Sequence, residues 1–139
     1  MAGSNGYQGC AAVGDRVCGM AKNAGAIAVV TDGPVRDYDG VLAADIPVWC
    51  TGLTPDTPSG TGPGKVGLPL QIAGQQVETG DMIVADRDGV VVVPFDRMDA
   101  VIAALEIVRT LEAELDAKVA DGFKDPIADL LASDAVKWV

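Results

Sequence analysis

The sequence predicts an α/β fold, and three observations carry that prediction. Val17, Met20, Ala21 and Ala24 recur at three and four places, as on one face of a helix, and lead into the short β-type run AIAVVT. Residues 68–94 break into brief β-branched runs separated by Gly and Asp turns. From Phe95 onward the period becomes helical again.

Taken in order, residues 1–13, MAGSNGYQGCAAV, are small and Gly-rich and read as a lead-in loop. Asp15 is a natural N-cap for the first helix, and Gly25 sits where a C-cap belongs. The stretch TDGPVRD, residues 31–37, then leaves the carboxyl end of the strand, a place where α/β proteins often hold ligands. DYDGVLAAD suits a brief helix and IPVWCT a second strand. Residues 51–67, TGLTPDTPSGTGPGKVG, are seventeen residues of mainly Gly, Pro and Thr. That is longer than most connections within a compact domain, so they serve function or a subunit contact.

LPLQIAG, QQVETGD, MIVADRD and GVVVVP form a meander in which Asp88-Gly89 is the strongest hairpin signal. Met98, Val101, Ile102, Leu105, Val108, Leu115 and Val119 make one helical stripe. Glu112 falls near the middle of that stripe, whereas Glu106 and Glu114 point away from it. A carboxylate on an apolar face needs a cation, a metal or a neighbouring subunit, unless the helix has left the core there. PIADLLASDAVKWV reads as a short amphipathic helix. At 139 residues the chain suits one domain, with a lead-in at 1–13, an α/β core at 14–94 and a helical segment at 95–139.

Composition narrows the chemistry. Hydrophobic residues make up 49% of the chain and aromatics only 4%, so the core must be built from Val, Ile, Leu and Ala. A net charge of −10 argues against nucleic acid and anionic membrane as partners. The three cysteines, Cys10, Cys18 and Cys50, have no metal-ligand or redox spacing; they read as packing residues, and their odd number fits a reducing cytoplasm. No export signal or membrane-spanning run is evident. Histidine is absent altogether, which removes Ser-His and Cys-His pairs, imidazole-bound zinc and the usual general base near neutral pH.

Chemistry must then run on carboxylates, Lys, Arg, Tyr, backbone amides or a borrowed metal. Asp15 and the Arg36-Asp37 pair are separated by the twenty residues 16–35, an interval of helix, Gly turn and strand that can return the chain to its starting edge. Two neighbouring carboxylates repel, and Mg²⁺ or Mn²⁺ is a common way to satisfy them. Arg36 offers a planar fork to a substrate carboxylate or enolate. The helix opening at Gly14-Asp15 adds outward amides, such as those of Arg16 and Val17, at its positive end. On spacing alone an N-cap at Asp15 and a surface Arg–Asp pair explain the same residues, and that simpler account is favoured.

A resemblance changes the balance. GDRVCGMAKNAGAIAVVTDGPVRD, residues 14–37, resembles the Asp, twenty residues, Arg-Asp signature of the class II pyruvate aldolases that cleave 4-hydroxy-4-methyl-2-oxoglutarate, and of the RraA-like proteins that share their fold. The likeness continues through IPVWCTGLTP, GPGKVGLPLQIAG, VETGDMIVADRDGVVVVP and the following helix, from about Gly14 to about Gly122. It implies an RraA-like swivelling β/β/α domain with a short-stranded meander and C-terminal helices, assembled as a homotrimer or hexamer.

By position, the resemblance makes Asp37 a ligand of Mg²⁺ or Mn²⁺ and Asp15 the residue that holds the metal's waters. Arg36 would bind the pyruvyl oxygen and steady an enolate. Gly14, Arg16 and Val17 would receive the pyruvate carboxylate. Members of the aldolase type also use a C-terminal glutamate from an adjacent subunit, and counting back from the glycine of VADGF places it at Glu112. The implied activity is retro-aldol cleavage of a 2-oxo acid to pyruvate, with oxaloacetate decarboxylation through the same enolate. Lys22 is the candidate for a Schiff-base alternative, but it falls on the exposed side of the first helix.

Two expectations run the other way. Family members carry several dozen residues before the loop at which this sequence opens, so the short N-terminus bears on activity more than on fold. RraA-like proteins without the C-terminal glutamate act by binding, as regulators of an RNA-degrading endonuclease that contact protein rather than RNA.

Overall fold

The computed structural model describes residues 1–58 and 64–133. The chain divides into two compact units, Met1–Asp96 and Arg97–Val139.

The first unit is α/β. Helix α1 (Asp15–Asn23) leads to strand β1 (Val29–Val30), and helix α2 (Tyr38–Ala43) leads to strand β2 (Val48–Trp49), which pairs parallel to β1. Isolated parallel bridges carry this pairing well past the short strands. Ala2 pairs with Thr31, Val13 with Val35, and Val35 with Leu53. Residues 29–36 therefore run centrally, with the N-terminal segment on one side and residues 48–54 on the other. The core lies where the helices cover these strands: Cys18, Val41 and Ile46 are buried, with Val13, Ala26, Val29, Ala44 and Val48 packed around them.

Asp15 is not the N-cap that the sequence suggests. Gly14 occupies that position with extended backbone, and Asp15 is the first helical residue, its Oδ1 accepting the Arg16 N–H at 2.6 Å. The carboxylate still complements the positive end of the helix dipole. At the other end Gly25, with φ +92°, follows the cap and lets the chain turn toward β1.

The meander is two antiparallel hairpins. Strands β3 (Leu70–Ile72) and β4 (Gln75–Val77) are joined by Ala73 and Gly74, both at positive φ, as a tight hairpin turn requires. Strands β5 (Met82–Ala85) and β6 (Val90–Val93) pair Ala85 with Val90, which leaves a four-residue loop. Its organiser is Asp86, whose Oδ1 accepts the N–H groups of Asp88 and Gly89, so Asp88-Gly89 closes a longer turn than the dipeptide implies. The Trp49 indole donates to the Asp86 carbonyl at 2.7 Å and ties this hairpin to β2.

The second unit holds α3 (Met98–Ala120), entered through a 3-10 turn at Phe95–Arg97, and α4 (Asp125–Ala132). None of the residues of α3 is buried, so its apolar stripe is open to contact. The end of the expected last helix, residues 134–139, lies outside the described residues, as do residues 59–63 of the Gly-rich segment. Among the described residues no helix is long and apolar enough to cross a membrane.

Candidate functional site

The segment TDGPV is interior: Thr31, Asp32 and Val35 are 4%, 6% and 3% exposed. Its course is dictated by hydrogen bonds on both flanks. Pro34 carbonyl accepts the Ala12 N–H at 2.7 Å, and Val35 donates to Gly52 at 2.9 Å. Only at Arg36 does the chain emerge, and there Arg36 N–H donates to the Val13 carbonyl at 3.2 Å. Parallel pairing thus delivers Arg36-Asp37 beside Gly14, the start of α1.

Asp37 caps α2 with a left-handed backbone, φ 58° and ψ 51°. Asp is among the few non-Gly residues that tolerate this region, and such strain gathers at functional positions. Its Oδ2 lies 3.1 Å from Arg36 Nε, with both side chains partly exposed. Arg36 also donates from its terminal nitrogen to the Thr57 hydroxyl. The guanidinium is therefore held from two sides, and Thr57, in the Gly/Pro/Thr-rich segment 51–67, is one of its anchors. Gly14 is buried against the pair: a β-carbon there would meet Asp37 Oδ2 at 2.9 Å and Arg36 Nε at 3.1 Å.

Asp15 packs against Gly40 of α2. Arg36, Asp37, Tyr38, Leu53, Thr54 and Pro55 line a hollow of about 330 Å³. A larger, more apolar hollow of about 520 Å³ shares Tyr38 and Leu53 with it. Of the other expected site residues, Arg16 and Val17 lie exposed in the first turn of α1, with the Arg16 amide taken by Asp15. Glu112 is exposed on α3, in the second unit.

Two further groups have settled roles. Lys22 donates to the Ala44 and Asp45 carbonyls at 3.0 and 2.8 Å and pairs with Asp45 Oδ2 at 3.1 Å, which caps the end of α2. Burial, reinforced by the negative charge of Asp15, raises the Cys18 thiol above its ordinary value, which suits a packing residue. Cys50, by contrast, is exposed and Cys10 half-buried, so packing accounts for Cys18 and not for all three.

Among the described residues no three His, Cys, Asp or Glu side chains are arranged to cage a metal. The donors on offer are hard carboxylate oxygens at Asp37 and Asp15. Hard oxygens of this kind are the donor type that Mg²⁺ or Mn²⁺ takes.

The RraA-like (Aldolase/RraA) family matches residues 1–92. A Halalkalibacterium halodurans relative, provisionally designated a 4-hydroxy-4-methyl-2-oxoglutarate aldolase, is 40% identical over 84 residues, which are 60% of this chain and 40% of its own. The 4-hydroxy-4-methyl-2-oxoglutarate aldolase of Thermus thermophilus is 31% identical over 84 residues, 60% of this chain and 51% of that one. Among solved structures, RraAS2 of Streptomyces coelicolor, described as an unusual member of the RNase ES inhibitor RraA protein family, is 30% identical with a TM-score of 0.73. That match covers 81% of this chain and 58% of RraAS2. The chain spans about half or less of the length of the curated relatives it matches. With its α/β elements in place and the family match covering most of the first unit, the chain belongs to the RraA-like family.

Proposed function

We propose that this chain is a divalent-metal-dependent carbon–carbon lyase that cleaves 4-hydroxy-4-methyl-2-oxoglutarate-type 2-oxo acids to pyruvate and decarboxylates oxaloacetate. The observation that carries the reading is the Arg36–Asp37 pair, seated against Gly14 at the positive end of α1 and facing a hollow.

In this reading Asp37 would hold Mg²⁺ or Mn²⁺, and Asp15 would hold the ion's waters. When bound, the ion supplies Lewis-acid polarisation of the 2-oxo group. The chain's own groups do the rest. Amides of the first turn, at Arg16 and Val17, receive the substrate carboxylate once Asp15 releases the Arg16 N–H. Removal of the 4-hydroxyl proton to water oriented by Asp15 lets the C3–C4 bond break, and the electron pair moves onto the 2-oxo oxygen as an enolate. Arg36 stabilises that charge, which exists in the transition state and not in the substrate. Glu112, contributed by a neighbouring subunit of a trimer, completes the proton handling. Protonation at C3 then gives pyruvate.

The test is pyruvate release from both substrates with Mg²⁺ or Mn²⁺ and then with EDTA, corrected for breakdown by metal alone. Chelator-sensitive release supports the lyase; its absence from folded protein overturns it. The likeness to RraAS2 favours a second reading, a non-catalytic protein-binding regulator of ribonuclease activity. A silent assay together with inhibition of an added endonuclease would select it.

A further inference from the structure

The Asp32 carboxylate has no part in the chemistry above, yet it is 6% exposed and accepts three hydrogen bonds. Its Oδ1 takes the Ser4 N–H at 2.6 Å and the Ser4 hydroxyl at 2.9 Å, and its Oδ2 takes the Gly6 N–H at 2.9 Å. Gln8 closes the same clamp. Its Nε2 donates to the Asp32 carbonyl at 2.8 Å, while its Oε1 accepts the Thr51 hydroxyl at 2.7 Å. Loop residues 4–8 are thereby fastened to the end of β1 and to the segment after β2.

That loop feeds directly into the strand beside the candidate site. Ala11 donates to the Asp56 carbonyl at 3.1 Å, Ala12 to Pro34 at 2.7 Å, and Val13 accepts from Arg36 at 3.2 Å. The next residue is Gly14, which abuts Arg36 and Asp37. A short strand with so few ladder bonds needs its entry point held, because a slip of one residue would turn every side chain over.

We propose that Asp32 is a positioning residue for the Arg36–Asp37 site. Its carboxylate fixes residues 4–8, and through them the register in which residues 11–14 lie against residues 34–37. An ionised carboxylate suits the task because both oxygens accept and neither donates, which matches three converging donors. An amide in its place presents an N–H₂ group to one of them. The link to catalysis rests on the lyase reading above; the clamp itself does not.

The experiment is amide hydrogen exchange on the whole chain, wild type against Asp32→Asn. Ala12 and Arg36, whose amides bridge the two segments, are expected to exchange about tenfold faster or more, the effect of losing a charged hydrogen bond. Val29, whose N–H donates to the Pro47 carbonyl at 2.9 Å, serves as the reference and is expected to hold. No acceleration at Ala12 and Arg36, or equal acceleration at Val29, overturns the proposal, the latter by assigning Asp32 to overall stability alone. In the pyruvate assay kcat is expected to fall with KM little changed, as for a misplaced charge-stabilising group; a rise in KM at constant kcat speaks against it. If Asp32→Asn does not fold, Ser4→Ala removes one donor of the three and should give the same exchange pattern at smaller size. A wild-type chain that releases no pyruvate sinks the lyase reading, and the exchange pattern still decides the clamp.

Discussion

Gly14 abuts Asp37: a β-carbon at Gly14 would stand 2.9 Å from Asp37 Oδ2, closer than real side chains approach. Gly14 itself has extended backbone, φ −134°, that any residue can adopt. Gly14→Ala is therefore expected to act on the Arg36–Asp37 pair rather than on the backbone. Loss of the better cap should lower stability by less than about 1 kcal/mol. Turnover should fall by about tenfold or more, through displacement of a charge-stabilising group. Melting curves and kcat on the same variant check both halves.

Asp37→Asn tests the metal ligand more cleanly than Asp37→Ala. Asn shares the tolerance of Asp for the left-handed backbone seen here, whereas Ala adds a penalty of about 1 kcal/mol. The expected outcome is loss of chelator-sensitive turnover and of Mn²⁺ binding by titration calorimetry, with the melting temperature nearly unchanged. Full turnover in Asp37→Asn would remove Asp37 from the mechanism.

Gly40→Ala should reverse the usual effect of its substitution. In an exposed helix Gly to Ala gains about 1 kcal/mol. At Gly40 the new β-carbon would lie 2.6 Å from both Cβ and Oδ2 of Asp15, so α1 and α2 must separate. Overpacking of this kind is expected to leave a net loss of about 1–2 kcal/mol, read from urea unfolding.

Acid should weaken the Asp32 clamp. Burial works toward a higher pKa, but the bonds from Ser4 and Gly6 outweigh it and hold the group below its ordinary value near 3.8. A carboxyl with a depressed folded pKa contributes stability that is complete above the unfolded value and is lost as pH falls through the folded one. Unfolding free energy should thus decline below about pH 4, and Asp32→Asn should flatten that part of the profile.

The wild-type chain should yield no borohydride-trapped adduct with pyruvate, since the Lys22 amine is engaged at the end of α2, and Lys22→Ala should leave turnover intact. Its ion pair with Asp45 is largely exposed, so the stability lost should not exceed about 1 kcal/mol.

Local pattern alone suffices for much of this fold. The period of Val17, Met20 and Ala21 anticipates α1, the stripe from Met98 anticipates α3, and the alternation of β-branched runs and turns anticipates both hairpins. Each depends on a repeat written along a single segment. Asp15, Arg36 and Asp37 stand at element boundaries, where a cap and a surface ion pair would explain them; it is the resemblance of residues 14–37 to a known signature that singles them out.

What the chain sets beside those residues is a different matter. The burial of Asp32, the anchoring of Arg36 by Thr57 and the closeness of Gly14 to Asp37 arise from bonds between residues more than twenty places apart. No local period encodes them. Thr31 and Asp32 look in sequence like an ordinary polar turn and are interior because parallel neighbours cover them on both sides. Asp15 looks like a cap and is instead the first helical residue, because Gly14 takes the capping position, close against Asp37. Side-chain chemistry is carried by the sequence, whereas its register, burial and company are decided by which strands pair.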